Sequence, residues 1–125
     1  MILDTNAVSA LLTGDEGISR RLDTVDRHHL PLPAIAEYRY GLLGLRNPTR
    51  LQALFRRLEV ESITLCPDRE TAETYAAIRH ELKRSGRPIP SNDLWIAALA
   101  RQHSIEIVSQ DPHFDTVDGV RRIGW

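Results

Sequence analysis

The chain has 125 residues, 42% hydrophobic and 26% charged, with a formal net charge of -1; that is the length of one domain, able to bury a single core without disulfides or structural metal, and the composition of an ordinary soluble globular protein. One cysteine, Cys66, excludes an internal disulfide and fits a reducing compartment. The longest apolar run, Leu94 to Ala100, is far short of the roughly 20 residues that span a bilayer, and no basic-then-apolar leader precedes Asp4, so the expectation is a cytoplasmic protein with no membrane partner.

In chain order, strand-like and helix-like segments alternate. Met1 to Leu3 form a short apolar strand that stops at Asp4-Thr5-Asn6. Ala7 to Leu12 carry apolar residues at helical spacing, and Thr13-Gly14-Asp15 turns the chain. A second helix is predicted over Gly17 to His28, with Ile18, Leu22 and Val25 on one face. Leu30 to Leu32 reads as a strand. Pro33 suits the start of a helix running through Glu37 to about Leu43, where Gly44 stops it. A fourth helix covers about Pro48 to Leu58.

The second half repeats the pattern. Glu61 to Cys66 alternates as a strand with Ile63 and Leu65 on one face, and Cys66-Pro67-Asp68 opens a helix over about Arg69 to Arg84. Its apolar face is read through Ala72, Tyr75, Ala76 and Ile78. A Pro-rigid loop, Pro88 to Asn92, leads into Asp93 and the helix Leu94 to Ala100, which is apolar nearly all round and so belongs in the middle of the core. Ile105 to Val108 is an apolar strand ending at Ser109-Gln110-Asp111, and Val120 to Ile123 a last short edge strand. The fold class expected is α/β: one domain, residues 1–125, with a central, mainly parallel twisted sheet flanked by helices through right-handed crossovers.

In a parallel sheet the strand ends and the starts of the following helices lie on one edge, where ligands bind. Asp4 ends the first strand, Glu37 lies in the helix after the second, Asp93 opens the core helix, and Asp111 follows the Ile105 to Val108 strand. Each acid alone also has an ordinary structural role: Asp4 as a helix cap, Glu37 as a solvated helix residue, Asp93 as a first-turn acid favoured by the helix dipole, and Asp111 and Asp115 as turn formers. Their convergence on one edge is what points to a site. Carboxylates held close together repel unless a cation sits between them. Oxygen ligands without cysteine or a paired histidine select Mg²⁺ or Mn²⁺ over Zn²⁺, and the usual second partner of such an ion is a substrate phosphate. The implied chemistry is metal-dependent phosphodiester hydrolysis by an activated water.

These stretches carry a resemblance. Ile2-Leu3-Asp4-Thr5-Asn6, the glutamate of Ala36-Glu37-Tyr38-Arg39-Tyr40-Gly41, Asn92-Asp93-Leu94-Trp95-Ile96-Ala97-Ala98 and Val108-Ser109-Gln110-Asp111-Pro112-His113-Phe114 together resemble a PIN domain, and more narrowly the VapC toxins of type II toxin–antitoxin pairs. The likeness runs from the first residue to Trp125. It implies a PIN-like fold and a Mg²⁺- or Mn²⁺-dependent endoribonuclease toxin cutting structured RNA, with transfer and ribosomal RNA as candidate substrates. Asp4, Glu37, Asp93 and Asp111 would be the catalytic and metal-binding acids, Asp115 an alternative for the fourth, and Asn6 and Ser109 the small polar supports. It also implies a VapB-type antitoxin as partner and a homodimer. Two other readings stay open: a PIN nuclease of RNA maturation or decay without an antitoxin, and a catalytically silent PIN-like module, against which the full set of acids argues.

The 16 basic residues are 15 arginines and Lys83, and arginine suits bidentate phosphate contacts, although a surface cation serves equally well. Arg39, Arg46, Arg50, Arg56, Arg57, Arg84 and Arg87 are candidates to flank the crevice, with Arg87 favoured because its Pro-bounded loop leads to Asp93, and Arg50, Arg56 and Arg57 reading as a solvated face. His113, beside Asp111, is a candidate for substrate contact or proton donation. Tyr38, Tyr40, Leu42, Leu43, Leu54, Phe55 and Leu58 form a surface a partner could cover, or plain core. Cys66 reads as a buried thiol, and His28, His29 and His103 lack ligand spacing.

Overall fold

A computed structural model describes all 125 residues. The strands are β1 (Ile2–Leu3), β2 (His29–Pro31), β3 (Ile63–Leu65), β4 (Ile107–Val108) and β5 (Arg122–Ile123), and the helices α1 (Thr5–Thr13), α2 (Glu16–Leu22), α3 (Leu32–Leu43), α4 (Thr49–Glu61), α5 (Arg69–Arg84) and α6 (Ser91–His103). A 3-10 turn, Pro112–Thr116, follows β4. The five strands form one sheet in the order β3-β2-β1-β4-β5, every neighbouring pair parallel.

The sheet is short-stranded but doubly covered, because successive residues of a strand face opposite sides. Ile2 and Ile107 pack with Ile78, Leu82, Leu94, Ile96 and Phe114 on the side of α5 and α6. Leu3 and Val108 pack with Val8, Ile18, Leu30, Ile35 and Phe55 on the side of α1 to α4. Strands covered on both faces have no polar side to offer, which is why β1 and β4 are wholly apolar. The apolar stretch of α6 lies in the core as expected, with Leu94 and Ile96 to Ala100 all buried. No helix is long and apolar enough to cross a membrane.

Several sequence expectations are corrected. The second helix ends at Leu22, where Asp23 closes it, so Val25 lies beyond the helix and His28 just before β2. Helix α6 begins at Ser91 and runs to His103, so Asp93 lies inside its first turn. On α5 the buried residues are Thr71, Ile78 and Leu82, whereas Ala72 and Ala76 are exposed. Cys66 is exposed, because it follows β3 at the open edge of the sheet. The suggested partner surface divides: Tyr38, Leu42, Phe55 and Leu58 are core, while Tyr40 and Leu43 stand 78% and 80% exposed.

The chain steps from β1 outward to β2 and β3, then crosses back to add β4 and β5 on the other side of β1. The point where strand order reverses is therefore between β1 and β4. Helices leaving the two strands diverge there, which opens a crevice at their carboxyl ends.

Candidate active site

Asp4 and Ser109 are the residues that follow β1 and β4, and they meet across that crevice. Asp4 caps α1, one carboxylate oxygen accepting from the Ala7 N–H at 2.7 Å, while its other oxygen accepts from the Ser109 hydroxyl. The same Ser109 oxygen accepts from the Asp111 N–H at 2.9 Å. One buried hydroxyl thus ties two strand ends together and fixes the start of the Asp111 turn. Asp111 in turn caps the 3-10 turn by accepting from the His113 N–H at 2.9 Å.

Asp93 comes from the first turn of α6, and its Oδ2 lies 3.0 Å from His113 Nδ1. That nitrogen is also 3.2 Å from Asp111 Oδ1. Glu37 reaches in from α3, its Oε2 accepting from the Thr5 hydroxyl at 2.7 Å. Asp4, Glu37, Asp93 and Asp111, brought from four segments, line one cavity of about 430 Å³ that has no hydrophobic residue in its wall. Asn6 lines it too, together with Thr5, Ser91 and Asn92.

Electrostatics in this cavity run against full ionisation. Burial is the main reason the Asp4 carboxyl is pushed up from 3.8 to about 6, with Asp93 and Asp111 adding repulsion and the bonds from Ser109 and Ala7 opposing it. Asp93 is also raised, again chiefly by burial, with His113 pulling it down and Asp111 and Glu37 pushing it up. No arginine or lysine lines the cavity. The His113 ring stands beside Asp93 and Asp111, and a cation from outside the chain would relieve the crowding that remains.

The donors suited to such a cation are mostly carboxylate oxygens. Ligand atoms of Asp93, Asp111 and His113 lie within 4.8 Å of one another. His113 therefore adds a nitrogen to what the sequence suggested was an oxygen-only set, because the 3-10 turn folds its ring back between the two aspartates. Asp4 and Glu37 face the same cavity.

Other candidates fall elsewhere. Asp115 is exposed and bound at both oxygens by Arg122, at 2.8 and 2.7 Å, outside the cavity. Arg39 makes a two-pronged pair with Glu59, at 2.8 and 3.1 Å, over a separate groove between α3 and α4. Arg87 is exposed in the loop before α6 and is not part of the cavity wall. Two residues escaped sequence reasoning. Thr5 orients Glu37, and its only signal was adjacency to Asp4. Arg122 donates to the Ser109 carbonyl at 3.0 Å while holding Asp115, a link between β5 and the 3-10 turn that no spacing reveals.

A parallel α/β domain with a carboxylate-lined cavity at its strand-order reversal is the architecture of an acid-cluster site. The PIN domain model matches residues 1–120, and the chain belongs to the PIN domain family. Its relatives include Ribonuclease VapC5 of Mycobacterium tuberculosis, 33% identical over 98% of this chain and 90% of that protein, and Toxin FitB of Neisseria gonorrhoeae, 34% identical over 89% of this chain and 87% of that protein. Among solved structures, DNA-bound VapBC from Salmonella typhimurium superposes with a TM-score of 0.91 at 26% identity, over 99% of this chain and 96% of that one.

Proposed function

We propose that this protein is a divalent-metal-dependent endoribonuclease and the toxin of a toxin–antitoxin pair. The observation that carries the catalytic half is the single cavity where Asp4, Glu37, Asp93 and Asp111 meet with no arginine or lysine in the wall. The toxin half is supported by relatives named as a VapC ribonuclease and as a toxin, and by the similarity to VapBC structures.

The residues fit a hard divalent ion such as Mg²⁺ or Mn²⁺, since the cavity offers carboxylates and no thiolate. Asp4, Asp93 and Asp111 would hold it, with Glu37 and His113 in reach. When bound, such an ion supplies a water of lowered pKa and charge stabilisation for the leaving oxygen of a phosphodiester. The chain's own contribution is positional. Ser109 sets the distance between Asp4 and the Asp111 turn, so two acids from different strands move as one unit. Thr5 holds Glu37 through Oε2, which leaves Oε1 free to accept a proton from a water on the solvent side. His113, hydrogen-bonded at Nδ1 to Asp93 and 3.2 Å from Asp111, keeps the two aspartates aligned.

The substrate in this reading is structured RNA, of the transfer or ribosomal class. A VapB-type antitoxin is the proposed partner, and the exposed Tyr40 and Leu43 at the α3–α4 groove supply apolar surface for it. A homodimer is the proposed assembly. The test is cleavage of a mixed transfer- and ribosomal-RNA pool with Mg²⁺, with chelator, and by Asp4→Asn and Asp93→Asn. Discrete fragments that need metal and disappear in both variants are expected. An intact RNA pool in the presence of Mg²⁺ and of Mn²⁺, from a folded chain, would overturn the reading.

A further inference from the structure

The carboxylate cavity can hold a phosphodiester only through a cation, and it has no residue of its own for the phosphates on either side. Two further cavities adjoin it. One, about 400 Å³, shares Thr5 and Glu37 with it and is walled by Tyr38, Tyr40, Leu42, Leu45 and Leu51 without a single basic residue. The other, about 370 Å³, lies between α5 and the loop leading into α6, and shares Ser91 with the carboxylate cavity. Its wall combines Tyr75, Arg79 and Lys83 with Ile89 and Leu94, and contains no acid.

The second cavity has the composition that a single-stranded nucleic acid requires: cations for the backbone and an aromatic and apolar floor for a base. Arg79 and Lys83 enter no ion pair, unlike Arg20, Arg39, Arg57, Arg101, Arg121 and Arg122, so their charges are free for a ligand. Tyr75 is fixed in place, stacked on Trp95 with ring centroids 4.3 Å apart and its hydroxyl 3.1 Å from Ser91 Oγ. Ser91 is the first residue of α6, two before Asp93, so the Tyr75 ring stands where the two cavities meet. Its size is at the lower end of small-ligand pockets, enough for one nucleotide.

We propose that the cavity formed by Tyr75, Arg79, Lys83, Ile89, Ser91 and Leu94 is a nucleotide subsite that holds the RNA strand beside the scissile phosphate. Arg79 and Lys83 take the flanking phosphate, and the base lies against Tyr75, Ile89 and Leu94. The apolar cavity on the other side lacks the charge for this task and suits a protein segment. The subsite rests on the ribonuclease reading.

The experiment compares Arg79→Glu/Lys83→Glu with Arg20→Glu/Arg21→Glu on α2, a control of equal charge change away from both cavities. Binding of a labelled 20-nucleotide single-stranded RNA of mixed sequence is measured with Mg²⁺ in an Asp93→Asn background, and KM and kcat on the RNA pool in the otherwise unaltered chain. The subsite variant is expected to lose RNA affinity at least about ten-fold more than the control and to raise KM with little change in kcat, while the slope of log affinity on log salt falls by roughly 1 to 1.5, as for two lost phosphate contacts on a single strand. Should the reversed charges unfold the chain, Arg79→Ala/Lys83→Ala carries the same expectation. Affinity and KM matching the α2 control overturn the proposal, with cleavage by the parent showing that the nuclease reading survives. Intact RNA binding together with loss of self-association in light scattering also overturns it and makes the surface a protein interface. A parent chain that neither binds nor cuts RNA removes both readings at once.

Discussion

Asp4 and Asp68 do the same local job with opposite electrostatic results. Each is the N-cap of an α-helix, Asp4 accepting from the Ala7 N–H at 2.7 Å and Asp68 from the Thr71 N–H at 2.9 Å. Asp68 sits at the open end of α5, where Thr71 and Gln102 add further donors, and its carboxyl is held below the ordinary range by those hydrogen bonds. Asp4 has donors as well, but burial and two neighbouring aspartates outweigh them and raise it to about 6. A cap is satisfied where it is solvated and surrounded by donors. The same residue type, buried among its own kind at a strand-order reversal, is left with a raised carboxyl that a cation, as in the proposed function, would relieve. Capping therefore does not compete with the role proposed for Asp4; it supplies the rigidity that role would need.

The largest expected difference between the two is catalytic. Asp4→Asn keeps an oxygen for the Ala7 N–H yet should lower metal-dependent RNA cleavage at least about a hundred-fold, in line with removal of a group that acts in the transition state. Asp68→Asn should leave the rate within about two-fold, since nothing near α5's first turn touches the acids. Comparable losses in both variants, read from initial rates on one RNA, would erase the distinction.

Stability without metal is the next effect, and its sign is opposite at the two caps. The folded chain holds the Asp4 proton more tightly than the unfolded chain does, so folding loses stability as pH rises from about 4 to about 6 and the loss persists above that. In chelator at pH 7.5, Asp4→Asn should thus be more stable than the parent, by on the order of 2 kcal/mol, and the gain should vanish near pH 4. Added Mg²⁺ should narrow the gap by stabilising the parent alone. Asp68 behaves the other way: its contribution is present at neutral pH and fades as pH falls through the lowered carboxyl range. Asp68→Ala should lower Tm by roughly 3 to 6 °C at pH 7.5, as for loss of a helix cap, and by less in acid. Thermal melts of Asp4→Asn across pH 4 to 8, and of Asp68→Ala from neutral pH to well below pH 4, give the two slopes, and slopes of the same sign would refute the comparison.

What the sequence made legible follows from the same contrast. Alternating strand and helix patterns placed Asp4, Glu37, Asp93 and Asp111 on one sheet edge, because in a parallel sheet topology alone decides which loops share that edge. All four do line one cavity. What stayed hidden depends on side-chain direction. Arg39 is two residues from Glu37 in sequence, yet it points to Glu59 on α4, a pairing that needs the helix-to-helix packing to be known. The exposure of Cys66 needed the strand order, since a strand followed by a helix reads alike at the edge and in the centre of a sheet. His113 looked like a loop histidine until the 3-10 turn put its ring between two carboxylates.

Asp111 and Asp115 show the limit most sharply, and they give the smallest predicted effect. Four residues apart, both were eligible as the fourth acid. The 3-10 turn from Pro112 to Thr116 separates them: Asp111 caps it and faces the cavity, while Asp115, one turn on, is drawn to Arg122 on β5. The Arg122 bonds hold Asp115 below the ordinary carboxyl range, which is the behaviour of an ion pair and not of a crowded acid. Asp115→Asn should therefore leave RNA cleavage within about two-fold and lower Tm by roughly 1 to 3 °C, since an exposed pair contributes little. Asp111→Asn should instead reduce cleavage at least about ten-fold. If Asp115→Asn proved the more damaging of the two, Arg122 would have to release its partner when RNA and metal bind, and the fourth acid would be assigned to Asp115.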